Sequence, residues 1–591
     1  MCLSGVDYFS TLGYQPSIAI IAVGALAPPA TLVLVLVTIL CAVPVYRRVA
    51  RHSPHGMGSI ALIEGLTHGW LGKLIVLVLL GFAATDFMIT ITLSSADASA
   101  HLLHTTESPW QLPLTIGLIV LLALVFMRGF KEAVSVAVVL VSTYLTLTLI
   151  VLGAGVYQLY QHPELIGNWA NALAHSHASP WAIVLISLIV FPKLALGLSG
   201  FETGVSVMPL IRANSTEERV RGAHRLLTTS ALIMCVFLLL SSFVAVTLIP
   251  AAQFQAGGTA EGRALAWVAH EYLGSTFGAV YDISTVAILW FAGASAMSGL
   301  LALIPKYLPR YGMAPRWAQR SRPMVGVLAA AAIVVTLVFR ASVTQQAGAY
   351  ATGVLVVITS GAIAVTLYAK GAARGYFAVV SVIFIATTVA NIIERPDGIR
   401  VAAWFILCII VFSFASRMWR AYELRDVGVT WDEKAETILS AHTTGNRINI
   451  VPFAPHLVTN TDEDELRSKD QEIRQNNHLD EESVVYLEIQ LRDPSAFSEQ
   501  LHVEGRTDED GRAILSVCAS SVANSLAVIA IHIGKNFNVL PTLYFDWAQG
   551  SPWLQTLRYI FLGKGQVATE TREILRRAIA DESKRPRIHV G

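Results

Sequence analysis

The chain has 591 residues, 54% of them hydrophobic and only 14% charged, whereas soluble globular domains carry roughly 25% charged residues. That composition excludes a string of soluble domains and places most of the chain in lipid. Of the 41 acidic residues 15 precede Met418, and of the 42 basic residues 23 do, so the total of +1 divides into a membrane body near +8 and a tail near −7. No basic patch with interleaved aromatics occurs in the soluble stretch, so no nucleic-acid partner is expected. Cys2, Cys41, Cys235, Cys408 and Cys518 are scattered singly, without a CxxC pair or metal-ligand spacing, and read as small apolar fillers.

A helix needs about 20 apolar residues to cross the hydrocarbon, because its backbone polar groups must be satisfied within the segment. Twelve stretches qualify: 3–27, 30–47, 71–96, 112–128, 132–159, 181–210, 225–250, 276–304, 323–340, 346–369, 374–393 and 399–417. The first begins almost at Met1 without a charged approach, which predicts a start upstream; no cleavable signal peptide is expected. Arg47, Arg48, Arg51, Arg128, Lys131, Arg212, Arg219, Arg221, Lys306, Arg310, Arg316, Arg320, Lys370 and Arg374 all follow even-numbered spans. The other loops are poor in lysine and arginine, Arg263, Arg340, Arg395 and Arg400 excepted. Both termini are therefore expected in the cytoplasm, with the spans in the cytoplasmic membrane.

Gly5 and Gly13 fall in span one, and Pro192, Gly197, Gly200 and Gly204 in span six. Helices broken at corresponding places in two halves point to a midplane binding site between inverted repeats. Spans 1–5 and 6–10 would be the repeats, a 5+5 arrangement with two spans appended. The alternative is that these glycines only permit close helix packing.

Ionisable groups inside the membrane are costly, so each is a functional candidate. Asp7, Asp86, Lys193 and Glu202 are the clearest, with Asp97 and Asp282 nearer span ends. Asp7 and Tyr14 are seven residues apart, one face of a continuous helix, with Ser10 and Thr11 between them. Asp86, Thr90 and Ser94 recur every four residues in span three, beside Phe87. Ser199 and Glu202 sit among the glycines of span six, and span ten carries Tyr350. Carboxylates, hydroxyls and freed carbonyls are oxygen ligands, which hard cations require, and a carboxylate can also carry a proton. The competing reading has the hydroxyls bonding back to their own helices, Asp86 paired with a base across the bundle, and Lys193 paired with an acid or facing water.

The run SGVDYFSTLGYQP resembles the first-helix signature of the KUP potassium uptake permeases and the related KimA-type importers, members of the amino acid-polyamine-organocation (APC) superfamily. The resemblance puts Asp7 and Tyr14 where an acid and a tyrosine take part in ion binding. Span three is similar to the KimA-type motif, with Thr90 and Ser94 at positions of potassium-coordinating hydroxyls; Phe87 departs, replacing a tyrosine. LSGFETG resembles the sixth-helix motif, placing Ser199 at a hydroxyl position and Glu202 at that of the proton-coupling carboxylate, and Tyr350 matches a tenth-helix tyrosine. The spacing before LSGF differs from the KimA-type pattern, and the first motif is poorer in glycine than in KUP proteins. The implied fold is an α-helical membrane protein with 12 transmembrane helices in a LeuT/APC-like 5+5 inverted repeat, over residues 1–417.

After Arg417 the composition becomes soluble. Residues 418–447 read as a linker and 448–591 as a cytoplasmic α/β or α+β domain. INIVPF and SVVYLEIQL read as strands, and ASSVANSLAVIAIHIG, WLQTLRYIFLG and ATETREILRRAIADE as helices, the last capped by Thr569. The acidic run between the two strands reads as a solvated loop or helix. GKGQ is no phosphate-binding loop, so no nucleotide hydrolysis and no cofactor are expected. His456, His478, His502, His532 and His589 are too dispersed for a metal site. The resemblance implies a dimerising or regulatory domain, giving a homodimer, with a cyclic dinucleotide as regulator in some relatives.

The leading expectation is therefore a secondary transporter importing potassium with protons by alternating access. Its site would comprise Asp7, Tyr14, Thr90, Ser94, Ser199, Glu202 and Tyr350, with Glu202 or Asp7 carrying the proton. The alternatives are an amino acid permease on the same scaffold and a membrane sensor whose tail signals. No nucleophile–base arrangement points to an enzyme.

Overall fold

The computed structural model describes all residues except 1, 55, 130–132, 177–178, 199, 207, 212, 256, 444–445, 454–462, 478, 480–482, 547–550 and 591. The chain divides into two compact units. The first comprises Met1–Thr67, Leu74–Lys306 and Arg316–Ile410; the second comprises His68–Lys73, Tyr307–Pro315 and Val411–Gly591.

The first unit is helical. Its elements run α1 Cys2–Val23, α2 Ala27–Val37, α3 Val43–His52, α4 Gly58–Leu66, α5 Gly69–Leu103, α6 Gln111–Arg128, α7 Ala133–Gln161, α8 Pro163–Ser176, α9 Pro180–Val190, α10 Phe201–Ser206 and α11 Thr216–Leu248. They continue with α12 Ala264–Leu273, α13 Ser275–Tyr307, α14 Ser321–Val338, α15 Val343–Tyr368, α16 Ala372–Glu394 and α17 Pro396–Trp419, the last assigned from Val411 onward to the second unit. Among the described residues, eleven helical segments are long and apolar enough to cross a membrane. The first runs Gly5–His52, 48 residues, and contains both of the first two spans expected from sequence. At about 1.5 Å per residue it is more than twice the length a ~30 Å core requires. The chain turns within it at Gly24, whose φ of +55° lies in the left-handed region and which separates α1 from α2.

Two expectations about helix breaks fare differently. Span six is broken: α9 gives way to a 3₁₀ stretch over Phe191–Leu198, and α10 starts anew after Gly200. Pro192 cannot donate a backbone hydrogen bond, and Gly200 takes φ +87°. Span one is not broken. α1 is continuous across Gly5 and Gly13 and carries even Pro16 inside it. A glycine permits a break but does not force one, and Gly13 serves packing instead: a Cβ there would lie 3.5 Å from both Asp97 Oδ2 and Thr285 Cγ2.

The second unit carries a seven-stranded sheet of order β1-β4-β5-β3-β2-β6-β7. The strands are β1 Val429–Trp431, β2 Arg447–Phe453, β3 Val484–Leu491, β4 Leu501–Thr507, β5 Ala513–Ala519, β6 Leu540–Phe545 and β7 Arg587–Val590. Every pairing is parallel except β4 with β5, where Val503 faces Val517 across a tight turn at Gly511. Parallel neighbours need crossovers. These are supplied by α18 Glu433–Ala441, α19 Glu463–Asn477, α20 Val522–Asn536, α21 Pro552–Leu562 and α22 Val567–Ala578. The central strands are apolar because both faces are covered; Ile450, Val485, Leu487, Leu515 and Val517 join Leu526 and Ile529 of α20 in the core.

The two strands and three helices read from the tail sequence are present, and within the acidic run Glu463–Asn477 form α19. Residues 418–447 are more than a linker, since they contribute β1 at the sheet edge and α18 packed on β4. Thr569 does not cap α22; the helix begins earlier, with Gln566 at the cap position and its backbone N–H donating to Glu570 Oε1 at 3.1 Å.

Candidate ion-binding site

α10 presents Glu202 in its first turn, and the break before it lets the chain turn sharply enough for that side chain to reach α4. Glu202 is 4% exposed, and its Oε1 accepts from the Ser59 backbone N–H at 3.0 Å and the Ser59 hydroxyl at 3.3 Å. The carboxylate thus sits on the first turn of α4, where free N–H groups and the helix dipole favour negative charge. The approach depends on Gly58: with φ +65°, its absent Cβ would lie 1.8 Å from Glu202 Oε1. Glu202 Oε2 is buried without a donor among the described residues.

The next residue, Thr203, donates from Oγ1 to Asp7 Oδ2 at 2.7 Å. Asp7 is 2% exposed on α1. Gly200 admits Tyr8 of α1, whose ring would be 2.8 Å from a Cβ at that position. Phe201 is packed between Tyr8, edge to face at 5.1 Å, and Tyr46, stacked at 5.2 Å. The broken segment is therefore clamped to α1 and α3 by aromatic rings, and its two polar residues face different partners.

On α5, Asp86 backs onto α15 at Gly353, where a Cβ would meet Asp86 Cβ at 3.2 Å. Tyr350, buried, lies three residues earlier on α15, on the same face as Gly353. The charges of Asp7 and Glu202 both reach Asp86, and Tyr14 is within reach of Asp7, Asp86 and Asp97. The fold thus gathers three acids from α1, α5 and α10 with Tyr14 beside them.

The hydroxyls divide. Thr90 Oγ1 donates to the Asp86 carbonyl at 2.9 Å, and Ser10 and Thr11 donate to the Asp7 carbonyl at 3.1 and 3.2 Å. These bonds are the back-bonding that competes with a ligand role, although each hydroxyl oxygen keeps lone pairs. Ser94 is 1% exposed on the same stripe. Ser199 lies outside the described residues. Lys193 pairs with Glu394 at 2.5 Å, both partly exposed, so it is an ion-paired lysine and not a member of the acid cluster.

Sequence reading missed Ser59 and Thr203, the donors that position the two acids. Ser59 lies outside every predicted span, and only the glycine–serine pair opening α4 marked it. It also missed a polar knot around Asp282. There His101 Nδ1 lies 2.8 Å from Oδ1, His270 Nε2 2.9 Å from Oδ2, and the Arg263 guanidinium spans both oxygens at 3.0 and 2.8 Å. His104, His270 and Asp282 offer ligand atoms within 4.8 Å of one another. Arg263 also sits 2.9 Å from His104 Nδ1, so a guanidinium already fills the place of a cation. Partial desolvation of the imidazole and the positive charge of Arg263 beside it hold His104 below its usual range.

In the second unit, a cavity of about 470 Å³ is lined by Arg467, Arg474, Arg512, Tyr486 and His442, among others. Its arginines are compensated locally, Arg467 and Arg512 by Asp510 and Arg474 by Asp470.

No protein-family model and no curated protein matches the chain. Among solved structures, it is similar to a histidine-to-alanine mutant of the Eremococcus coleocola manganese transporter, with a TM-score of 0.42 and 13% identity over 70% of this chain and 92% of that one. The same transporter in complex with an aromatic bis-isothiourea substituted compound gives 0.39 and 15% over the same shares.

Proposed function

We propose that the chain is a multi-pass secondary transporter that imports potassium together with protons by alternating access. The observation that carries this reading is that Asp7, Asp86 and Glu202, three buried carboxylates on three helices, lie within electrostatic range of one another, with Glu202 just after the only described span interrupted by a 3₁₀ stretch of eight residues. Several acids in one desolvated place repel one another unless a cation or protons neutralise them. Glu202, held by α4, is the proton carrier; Asp7, Tyr14, Thr90, Ser94, Ser199 and Tyr350 supply oxygens to the cation. Counting Gly5–His52 as two crossings gives twelve, with spans 1–5 and 6–10 as inverted repeats and both termini in the cytoplasm. The soluble unit serves as a dimerising or regulatory domain.

The amino acid reading is weaker for a specific reason. Such a site needs open backbone in the first span as well as the sixth, and α1 is continuous, with only the Leu12 carbonyl losing its helical donor, at Pro16. The discriminating test is growth rescue of a potassium-uptake-deficient cell at low external potassium, set beside uptake of a labelled amino acid panel. Potassium rescue without amino acid uptake supports the reading; the reverse refutes it.

A further inference from the structure

The polar stripe of α5 does not end at Ser94. Asp97 follows three residues later, after Asp86, Thr90 and Ser94 at intervals of four, so all four lie along one face. Asp97 is 1% exposed, and neither of its carboxylate oxygens has a hydrogen-bond donor among the described residues. Buried charges are ordinarily paired, and a buried carboxylate without a donor is strongly unfavourable. The base whose charge reaches it, Arg263, is engaged with both oxygens of Asp282.

Asp97 faces a cavity of about 90 Å³ that Tyr14, Ser17, Thr106, Glu261 and Arg395 also line. Glycines flank the carboxylate on two sides. A Cβ at Gly13 would lie 3.5 Å from Oδ2, and one at Gly262, where φ is +73°, 3.9 Å from Oδ1. Organic ligands occupy pockets of roughly 300 Å³ and more, whereas one water needs about 10–15 Å³. The space therefore suits an ion with a few waters.

Its charge suits a cation. Two acids, Asp97 and Glu261, and one base, Arg395, line it beside the apolar Ile18, Ile21 and Val343, and Glu261 is already occupied, its Oε2 accepting from Thr106 Oγ1 and the Gly257 N–H, each at 3.0 Å. Ser17 is likewise committed, donating to the Ala260 carbonyl and accepting from the Ala264 N–H. Asp97 is the carboxylate left over. Tyr14 belongs to this cavity and also lies within reach of Asp7 and Asp86, so the two places share a side chain.

We propose that Asp97 is a second cation-binding carboxylate, a station in this cavity where a monovalent cation of potassium size is held apart from the Asp7–Asp86–Glu202 cluster. The proposal rests on the cation reading above. Eleven residues of helix separate Asp97 from Asp86, about 16 Å, far enough for two monovalent cations to be bound together.

The test is equilibrium binding of radioactive rubidium to the full-length, detergent-purified protein, paired with rubidium uptake into proteoliposomes. Asp97→Asn is expected to bind about one ion fewer per chain and to raise the KM for uptake about tenfold, with Asp97→Glu restoring both. Undiminished rubidium binding by Asp97→Asn overturns the proposal. Wild-type protein that binds no rubidium and takes up none overturns the cation reading itself. If Asp97→Asn does not yield a monodisperse protein, carbodiimide labelling of wild-type Asp97, read by mass spectrometry, decides the matter. Protection by rubidium supports the station; labelling that rubidium leaves unchanged overturns it.

Discussion

Thr203 Oγ1 donates to Asp7 Oδ2 at 2.7 Å, joining α10 to α1 across 196 residues of chain. Its neighbour Glu202 reaches the other way, to Ser59 on α4. The short helix after the break therefore connects one acid and positions the other, and any movement of α10 shifts both carboxylates. Thr203→Val keeps the shape but removes the donor, a hydrogen bond to a carboxylate worth about 1.5–3 kcal/mol. Potassium uptake should fall by about tenfold or more, less than in Asp7→Asn. Uptake kinetics of the two variants at matched expression check the order.

Gly58 is the residue that lets Glu202 approach. An alanine there meets the carboxylate oxygen at 1.8 Å and must adopt φ +65°. The left-handed conformation alone costs about 1–2 kcal/mol, and displacement of Glu202 from α4 adds to it. Gly58→Ala should abolish uptake, while Gly69→Ala, which carries the same left-handed strain at φ +67° but whose Cβ meets nothing within 4 Å, retains it. Transport assays of both variants, with surface expression measured in parallel, separate a site effect from a folding effect.

Much of this was legible in sequence, for physical reasons. Long apolar runs announce membrane helices because the bilayer imposes a length, and the Pro192–Gly200 run announced its break because two residue types fail there together. Asp7 and Glu202 were visible as charges out of place. Gly5 and Gly13 misled, because a glycine looks the same in sequence whether it opens a helix or admits a neighbour. Ser59, Thr203 and the Asp282 knot were invisible because their meaning lies in partners far away in the chain. In the tail, β1 was lost inside an apparent linker because three residues show no alternation.

Arg417 is buried at 2% exposure, and among the described residues no carboxylate forms an ion pair with it. Its guanidinium donates instead to four carbonyls, those of Tyr311, Pro494, Ser495 and Ala496, at 2.7 to 3.3 Å. Trp70 and Phe497 present their rings to it at 4.7 and 5.6 Å. Arg417→Ala should destabilise the second unit by roughly 3 kcal/mol or more, because buried carbonyls lose their donors. Arg417→Lys should recover less than half of that, since an ammonium cannot span the same fork. Thermal unfolding of the solubilised protein checks both.

Burial pushes the Glu570 carboxyl up to about 8, from an ordinary 4.5. The folded state therefore favours the protonated form. Its stabilising contribution is fully present below about pH 4.5 and is lost as pH rises through about 8. Glu570→Gln should change stability little near pH 5 and raise it near pH 9 by on the order of 5 kcal/mol. Melting temperatures of both proteins across that range provide the check; a variant equally stabilised at the two ends would contradict the assignment.

The most direct test of the central claim is potassium influx into proteoliposomes containing the full-length protein, with an inward proton gradient imposed and then abolished. Gradient-stimulated influx is expected in the wild type, influx insensitive to the gradient or absent in Glu202→Gln, and none in Asp7→Asn. Potassium influx at wild-type rates in both variants, or no influx in the wild type under either condition, would contradict it.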